Sequence, residues 1–251
     1  MSEEEKIIKK QNLLLAILLV VLTLLLGVLF FITYDYYHEP QFISGEVETA
    51  SENKCDKFLV PALPQACYNE SYTENKVGWL WVSGTTVNDL LVQGKDNEFY
   101  LNHNEFDKKD ARGAYYVLSD SNMKSPDALS KVTVVFGHSS GYSTNKKFSV
   151  LKKLKDAEFA SRNQTIWMWV GEKPTKWQIF AAGDYPVVND YLIAEPDKEY
   201  LQNEIQNMKN YSYCQYRDVD VSTDDKILIL STCNEESYKT RYIVCAKQID
   251  F

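Results

Sequence analysis

The sequence predicts a mainly β domain, closed as a barrel or sandwich and interrupted by helical insertions, behind a single N-terminal membrane-spanning helix. Three observations point there. Residues 13–32, LLLAILLVVLTLLLGVLFFI, run twenty positions without a charge. From about residue 72 onward, short apolar stretches alternate with Gly, Pro, Asn and Asp punctuation, the pattern of many short strands. Seventeen tyrosines and five tryptophans suit pleated, half-buried surfaces, where aromatic side chains pack well.

At ~1.5 Å per residue, twenty residues span a hydrocarbon core of ~30 Å. A cleaved signal peptide normally has a shorter apolar core that ends at a small-residue site. Here the run closes on the bulky GVLFFITYDYY, which fits a retained anchor. Lys6, Lys9 and Lys10 precede the span, and no Lys or Arg follows it until Lys54. Positive charge stays on the cytoplasmic side, so the expectation is a cytoplasmic tail over 1–12, an anchor over 13–33 and everything else outside the cell membrane. Tyr34, Tyr36 and Tyr37 fall where an interfacial aromatic belt would lie. Residues 34–71 mix acidic, Ser, Pro and Asn residues without periodicity and read as a juxtamembrane stalk.

Within residues 72–251 the expected strands are VGWLWVSGT (77–85), VNDLLVQG (87–94), ARGAYYVLSD (111–120), KVTVVFGH (131–138), TIWMWV (165–170), KWQIFAAGDYPVV (176–188), DKILILST (225–232) and RYIVCAKQI (241–249). Two helical insertions interrupt them. FSVLKKLKDAEFASRN (148–163) can place Val150, Leu151, Leu154 and Phe159 on one face with lysines opposite. DKEYLQNEIQNMKNY (197–211) begins with the acidic turn that a helix dipole favours.

Composition removes some functions. With 27 Lys and Arg against 35 Asp and Glu, the net charge is −8, which argues against nucleic-acid binding, since that relies on clustered Lys and Arg to displace counterions. The five cysteines, Cys55, Cys67, Cys214, Cys233 and Cys245, include no CxxC pair, and the three histidines are scattered, which argues against a structural zinc site. An extracytoplasmic location permits disulfides. Cys55 and Cys67 flank a loop with two prolines and are a candidate pair, while an odd count leaves at least one thiol free.

Cys233 is the candidate nucleophile. It ends an apolar strand where the chain turns polar, NEESYKT, and a strand mouth is a rigid, partly exposed support for a reactive group. A thiol with an ordinary pKa of ~8.5 needs a neighbouring cation or base to act near neutral pH. His138 ends its own strand after Gly137 as Cys233 does, whereas His38 and His103 lie in polar segments. Arg241 opens the last strand after a seven-residue connection. If that connection is a hairpin, its permanent charge stands near Cys233 and can hold a developing oxyanion.

LSTC followed eight residues later by Arg, with a strand ending in Gly-His nearly a hundred residues upstream and an N-terminal anchor, resembles the sortases, membrane-anchored cysteine transpeptidases of Gram-positive bacteria. The resemblance runs from Val77 to Ile249 and is closest to class B, through VGWLWVSGTTVNDLLVQGKDNEFYL, the segment after the histidine and the helix before the cysteine strand. It implies a closed eight-stranded sortase-type β-barrel with inserted helices. It implies Cys233 as nucleophile, His138 as general acid/base and Arg241 as the residue that positions substrate and stabilises the oxyanion. It also implies substrate contacts at Asn97, Leu101, Phe136 and Ser231. Where the family often has Tyr-Gly-His-Asn, this chain has Phe136-Gly137-His138-Ser139, which removes one hydroxyl from the groove. The implied partners are secreted proteins bearing a C-terminal sorting motif and an amine of a peptidoglycan precursor or cross-bridge. No cofactor or metal is implied, and no carboxylate cluster suggests calcium. The alternatives are pilin polymerisation, against which residues 34–76 carry no Asp-Pro-Trp lid motif, and a non-catalytic wall-binding scaffold in which every cysteine is structural.

Overall fold

The computed structural model describes residues 15–18, 21–23, 26–27, 60–139, 147–188, 191–216, 219–233 and 237–251. The chain divides into two compact units, Met1–Asp56 and Lys57–Phe251. In the first, the described residues are helical, and their apolar side chains, among them Leu15, Leu18 and Leu26, are exposed. No helix among the described residues is long and apolar enough to cross a membrane. The expected tail, the rest of the expected anchor, the tyrosine belt and Cys55 lie outside the described residues.

The second unit is a closed eight-stranded barrel. Its strands are β1 (Lys76–Val82), β2 (Asn88–Val92), β3 (Tyr115–Val117), β4 (Val132–Phe136), β5 (Thr165–Val170), β6 (Lys173–Pro186), β7 (Ile227–Cys233) and β8 (Thr240–Ile249). Around the barrel the order is β1-β2-β3-β4-β7-β8-β6-β5. Two neighbouring pairs are parallel, β2 with β3 and β4 with β7; the rest are antiparallel.

β7 lies at the centre of the site-bearing sheet. ILILSTC is paired on one side with β4 and on the other with β8, and all of it is buried except Cys233. A strand covered on both faces reads as a continuous apolar run rather than an alternation, which is why ILIL carries no polar residue. Alternation still sorts its side chains. Leu228 and Leu230 point into the barrel with Val135, Trp177, Tyr242 and Val244. Ile227 and Ile229 point outward, onto a second cluster with Val134, Ile243 and Cys245.

The expected single helix over 148–163 is two elements. Phe148–Lys155 is a 3-10 helix, and α1 (Ala157–Arg162) starts afresh. The break is at Asp156, whose extended backbone and side chain, accepting from Phe159 N at 2.8 Å, cap a new helix. Val150, Leu151 and Leu154 fill the barrel interior, and Phe159 only partly joins them.

Helix α2 (Lys198–Asn210) packs against β6 and joins the outer cluster through Leu201, Ile205 and Met208. Asp197 caps it, its carboxylate accepting from the Tyr200 N–H at 2.8 Å. Glu204 is buried beneath the helix but not isolated: it accepts hydrogen bonds from the Tyr185 hydroxyl and, at 3.1 Å, from Asn207 Nδ2. Gly183 of β6 lets the end of α2 approach, because a Cβ there would lie 1.9 Å from the Tyr211 carbonyl oxygen. Before β1, Leu63, Cys67 and Tyr72 pack on a third cluster formed by Trp79, Tyr100, Tyr116, Trp167 and Trp169, so this part of the chain is docked on the barrel.

Leu230 is fully buried in the barrel interior. Leu230→Ala should lower unfolding stability by about 3 kcal/mol, as a shift in the denaturation midpoint at unchanged slope.

Candidate active site

Backbone register assembles the candidate residues. On the β7–β8 ladder Cys233 stands directly opposite Arg241 and Ser231 opposite Ile243. On the β4–β7 ladder Phe136 stands beside Ser231, and the Gly137 N–H donates to the Ser231 carbonyl at 3.2 Å. His138 follows at once. By alternation Phe136, Ser231, Cys233 and Arg241 share the outward parity of Val134, Ile229 and Ile243. The site therefore lies at the end of the outer β4–β7–β8 face, on the same side as α2, and not inside the barrel.

Cys233 is exposed, while Arg241 and His138 are half-buried. Arg241 Nη1 donates to the Thr240 carbonyl at 3.3 Å. His138 Nε2 lies 2.8 Å from the Leu101 carbonyl oxygen. A carbonyl only accepts, so Nε2 carries the hydrogen and Nδ1 is the nitrogen that can exchange a proton. The His138 carbonyl accepts from Phe148 N at 3.0 Å, and Ser139 bridges to Lys147. Lys147 in turn lies 3.8 Å from Asp89 and 4.6 Å from the centre of the Tyr115 ring. Burial pushes the Asp89 carboxyl up and the Lys147 ammonium works against that shift.

The four expected substrate contacts differ in what they already hold. Ser231 is buried, and its Oγ is 2.8 Å from the Tyr191 hydroxyl. Phe136 is half-buried and stacks on Tyr116, ring centres 5.0 Å apart. Asn97 Oδ1 accepts from the Ser119 N–H at 2.8 Å, tying its loop to the end of β3. Leu101 contributes its carbonyl to His138, a role that any side chain at 101 would permit.

Two further residues reach the site without a mark in the sequence, Tyr116 and Tyr191. Burial pushes the Tyr116 hydroxyl up and the nearby Cys233 adds to it. Burial also raises the Tyr191 hydroxyl, while its Ser231 hydrogen bond and the Arg241 charge oppose that shift. Nothing in the local sequence distinguishes either tyrosine among seventeen; only the fold brings them to Cys233 and Arg241.

Cys67, Cys214 and Cys245 are free thiols, as is Cys233; Cys55, the other half of the candidate pair, lies outside the described residues. Burial pushes three of these thiols up: Cys67, Cys214 and, most strongly, the fully buried Cys245. Among the described residues no group of three or more His, Cys, Asp or Glu could hold a metal ion.

No family model matches the chain. Sortase B of Staphylococcus aureus (strain NCTC 8325 / PS 47) is 28% identical over 238 residues, which is 90% of this chain and 94% of that protein. The crystal structure of Staphylococcus aureus sortase B superposes with a TM-score of 0.65 at 27% identity, covering 76% of this chain and 89% of that one. The Staphylococcus aureus sortase B–substrate complex gives 0.64 at 27%, covering 72% and 82%. These relatives and structures, covering most of the chain, support a class B sortase. As a sortase it is a cysteine transpeptidase, and the outer face at the end of β7 is where that chemistry has its candidates.

Among the described thiols of this sortase, Cys233 should react with a methanethiosulfonate reagent at least about tenfold faster than Cys67, Cys214 or Cys245, read by peptide mapping over a time course. A protected Cys233 beside a labelled Cys245 would contradict this geometry.

Proposed function

We propose that Cys233 is the nucleophile of an acyl transfer in which His138 moves the proton and Arg241 holds the oxyanion. The Cys233–Arg241 register pair, with His138 at the end of the adjoining strand, carries this reading. The Cys233 thiolate attacks a backbone carbonyl in the C-terminal sorting motif of a secreted protein. Negative charge develops on that oxygen within reach of a guanidinium that never loses its proton. The peptide C–N bond breaks, His138 delivers its proton to the departing amine, and a thioester remains on Cys233. An acceptor amine then attacks the thioester, gives its proton to His138 and leaves as a new amide, and the thiolate is restored. Asn97, Leu101, Phe136 and Ser231 line the groove that receives the motif.

The acceptor is a primary amine of a peptidoglycan precursor or cross-bridge. Two solved relatives support the partner classes: the Staphylococcus aureus sortase B–substrate complex and a sortase B complexed with triglycine, each 27% identical to this chain. Residues 13–33 tether the enzyme as a single-pass membrane protein, with residues 1–12 cytoplasmic and the barrel outside. The apolar run of 13–32 and the lysines before it support this topology. Tethering concentrates the enzyme where secreted protein and wall precursor both pass.

The test is a fluorogenic sorting-peptide library with and without an added oligoglycine amine. Wild-type enzyme should cleave a restricted set of peptides and, with the amine present, give the transfer product. Cys233→Ala should lose at least about 10³-fold in kcat/KM, and Arg241→Ala about 10²-fold, the scale of a lost oxyanion donor. Cleavage by Cys233→Ala at the wild-type rate would overturn the assignment.

A further inference from the structure

We propose that Asp107, acting through the Tyr100 hydroxyl, is a positioning residue for His138. The inference rests on the reading of His138 as the proton carrier, and concerns what keeps its ring in one tautomer.

The Nε2 hydrogen bond goes to the carbonyl of Leu101, which closes a short 3-10 turn, Phe99–Leu101. That turn lies in the long connection between β2 and β3, outside the barrel's ladders. Its position depends on side chains. Tyr100 is fully buried in the outer aromatic cluster. Its hydroxyl donates to Asp107 Oδ1 at 2.8 Å and accepts from Asn75 Nδ2 at 3.0 Å. The second Asp107 oxygen accepts from the Thr73 hydroxyl at 2.7 Å. An exposed residue thus turns both carboxylate oxygens inward, and does so from left-handed backbone, φ 56°. It ties the turn to the segment just ahead of β1.

Gly113 approaches the same edge of the ring. Gly113 has φ 60°, and a Cβ there would lie 3.0 Å from His138 Cδ2, 3.0 Å from the Leu101 carbonyl oxygen and 2.5 Å from the Tyr100 carbonyl oxygen. The Ala114 N–H donates to the Tyr100 carbonyl at 3.1 Å. The Nε2–Cδ2 edge of the imidazole thus meets two adjoining pieces of backbone, and the Tyr100 carbonyl joins them. If the turn shifts, the Leu101 carbonyl leaves Nε2, the ring is free to take its other tautomer, and Nδ1 no longer offers its lone pair. A neutral imidazole can carry its hydrogen on either nitrogen, and it is the partner that chooses.

The experiment uses the full chain in detergent micelles, with Tyr100→Phe, Asp107→Gly and the double variant. Glycine accepts the left-handed backbone without strain, and Asp107 is at the surface, so this variant tests the link without disturbing a packed side chain. The readouts are kcat and KM for a cleaved peptide, measured well below each Tm, and the 15N shifts of the His138 ring. Wild type should show one tautomer, hydrogen on Nε2. Each single variant should show a mixture and an about tenfold lower kcat with KM within about twofold. The double variant should be no worse than the poorer single, because both remove one link. Wild-type kcat with an unmixed tautomer in both variants, or losses that add in the double, would overturn the proposal. His138→Ala separates the two claims: wild-type activity there would remove His138 from the mechanism, while the 15N readout still reports on the Asp107 link.

Discussion

Strand β7 is hydrogen-bonded along its length to β4 on one side and β8 on the other, and the site depends on those two registers. Cys233 faces Arg241 because the hairpin ladder counts that way. Ser231 lies beside Phe136, and His138 just beyond it, because the parallel ladder counts that way. A slip of one residue in either ladder would turn every β7 side chain to the opposite face. It would drive Cys233 and Ser231 toward the barrel interior and bring Leu228 and Leu230 out to the surface. The buried aliphatics of β7 therefore specify the site's geometry as much as its own residues do. Each of those leucines resists a slip with the ~1.5–3 kcal/mol that burying such a side chain contributes.

The two halves of the site are held by different means. Cys233 and Arg241 sit on paired strands and inherit the rigidity of the sheet. The His138 ring lies past the end of β4 and takes its orientation from a loop, through the carbonyl of Leu101. Chemistry divides along the same line. The groups that stay put, a thiol and a permanently charged guanidinium, are on the sheet. The imidazole we propose as proton carrier is placed by a separate set of hydrogen bonds running back through Tyr100 and Asp107 to Thr73. Among the other described thiols, Cys245 is sealed in the outer cluster, and Cys67 and Cys214 are half-buried with their thiol pKa raised by that burial.

Much of the barrel is legible in the sequence because β-rich segments with apolar runs and turn punctuation announce themselves; eight expected stretches correspond to eight strands. Boundaries are less legible. AYYV is the visible part of a ten-residue stretch of which three residues pair, because the flanking residues are taken up by turns and by the Gln93 amide, which bonds the Leu118 carbonyl at 2.9 Å. The helical pattern over 148–163 hides its break, since Asp156 looks like one more polar residue on an exposed face until its carboxylate is seen to cap Phe159. For the site, Cys233, His138 and Arg241 stand out through residue type and strand-end position. Tyr116, Tyr191, Gly113 and Asp107 do not. Their placement depends on contacts between residues far apart along the chain, and an aspartate in a polar loop carries no mark that both its oxygens point inward.

The central claim, that this fold builds a thioacyl transferase on Cys233, is tested most directly by trapping the intermediate. Enzyme mixed with a cleavable sorting peptide and quenched in acid should gain the mass of the peptide's N-terminal fragment, mapped to the β7 peptide containing Cys233 and released by hydroxylamine or an added amine. Turnover with no adduct, or an adduct on Cys67, Cys214 or any residue other than Cys233, would contradict the account.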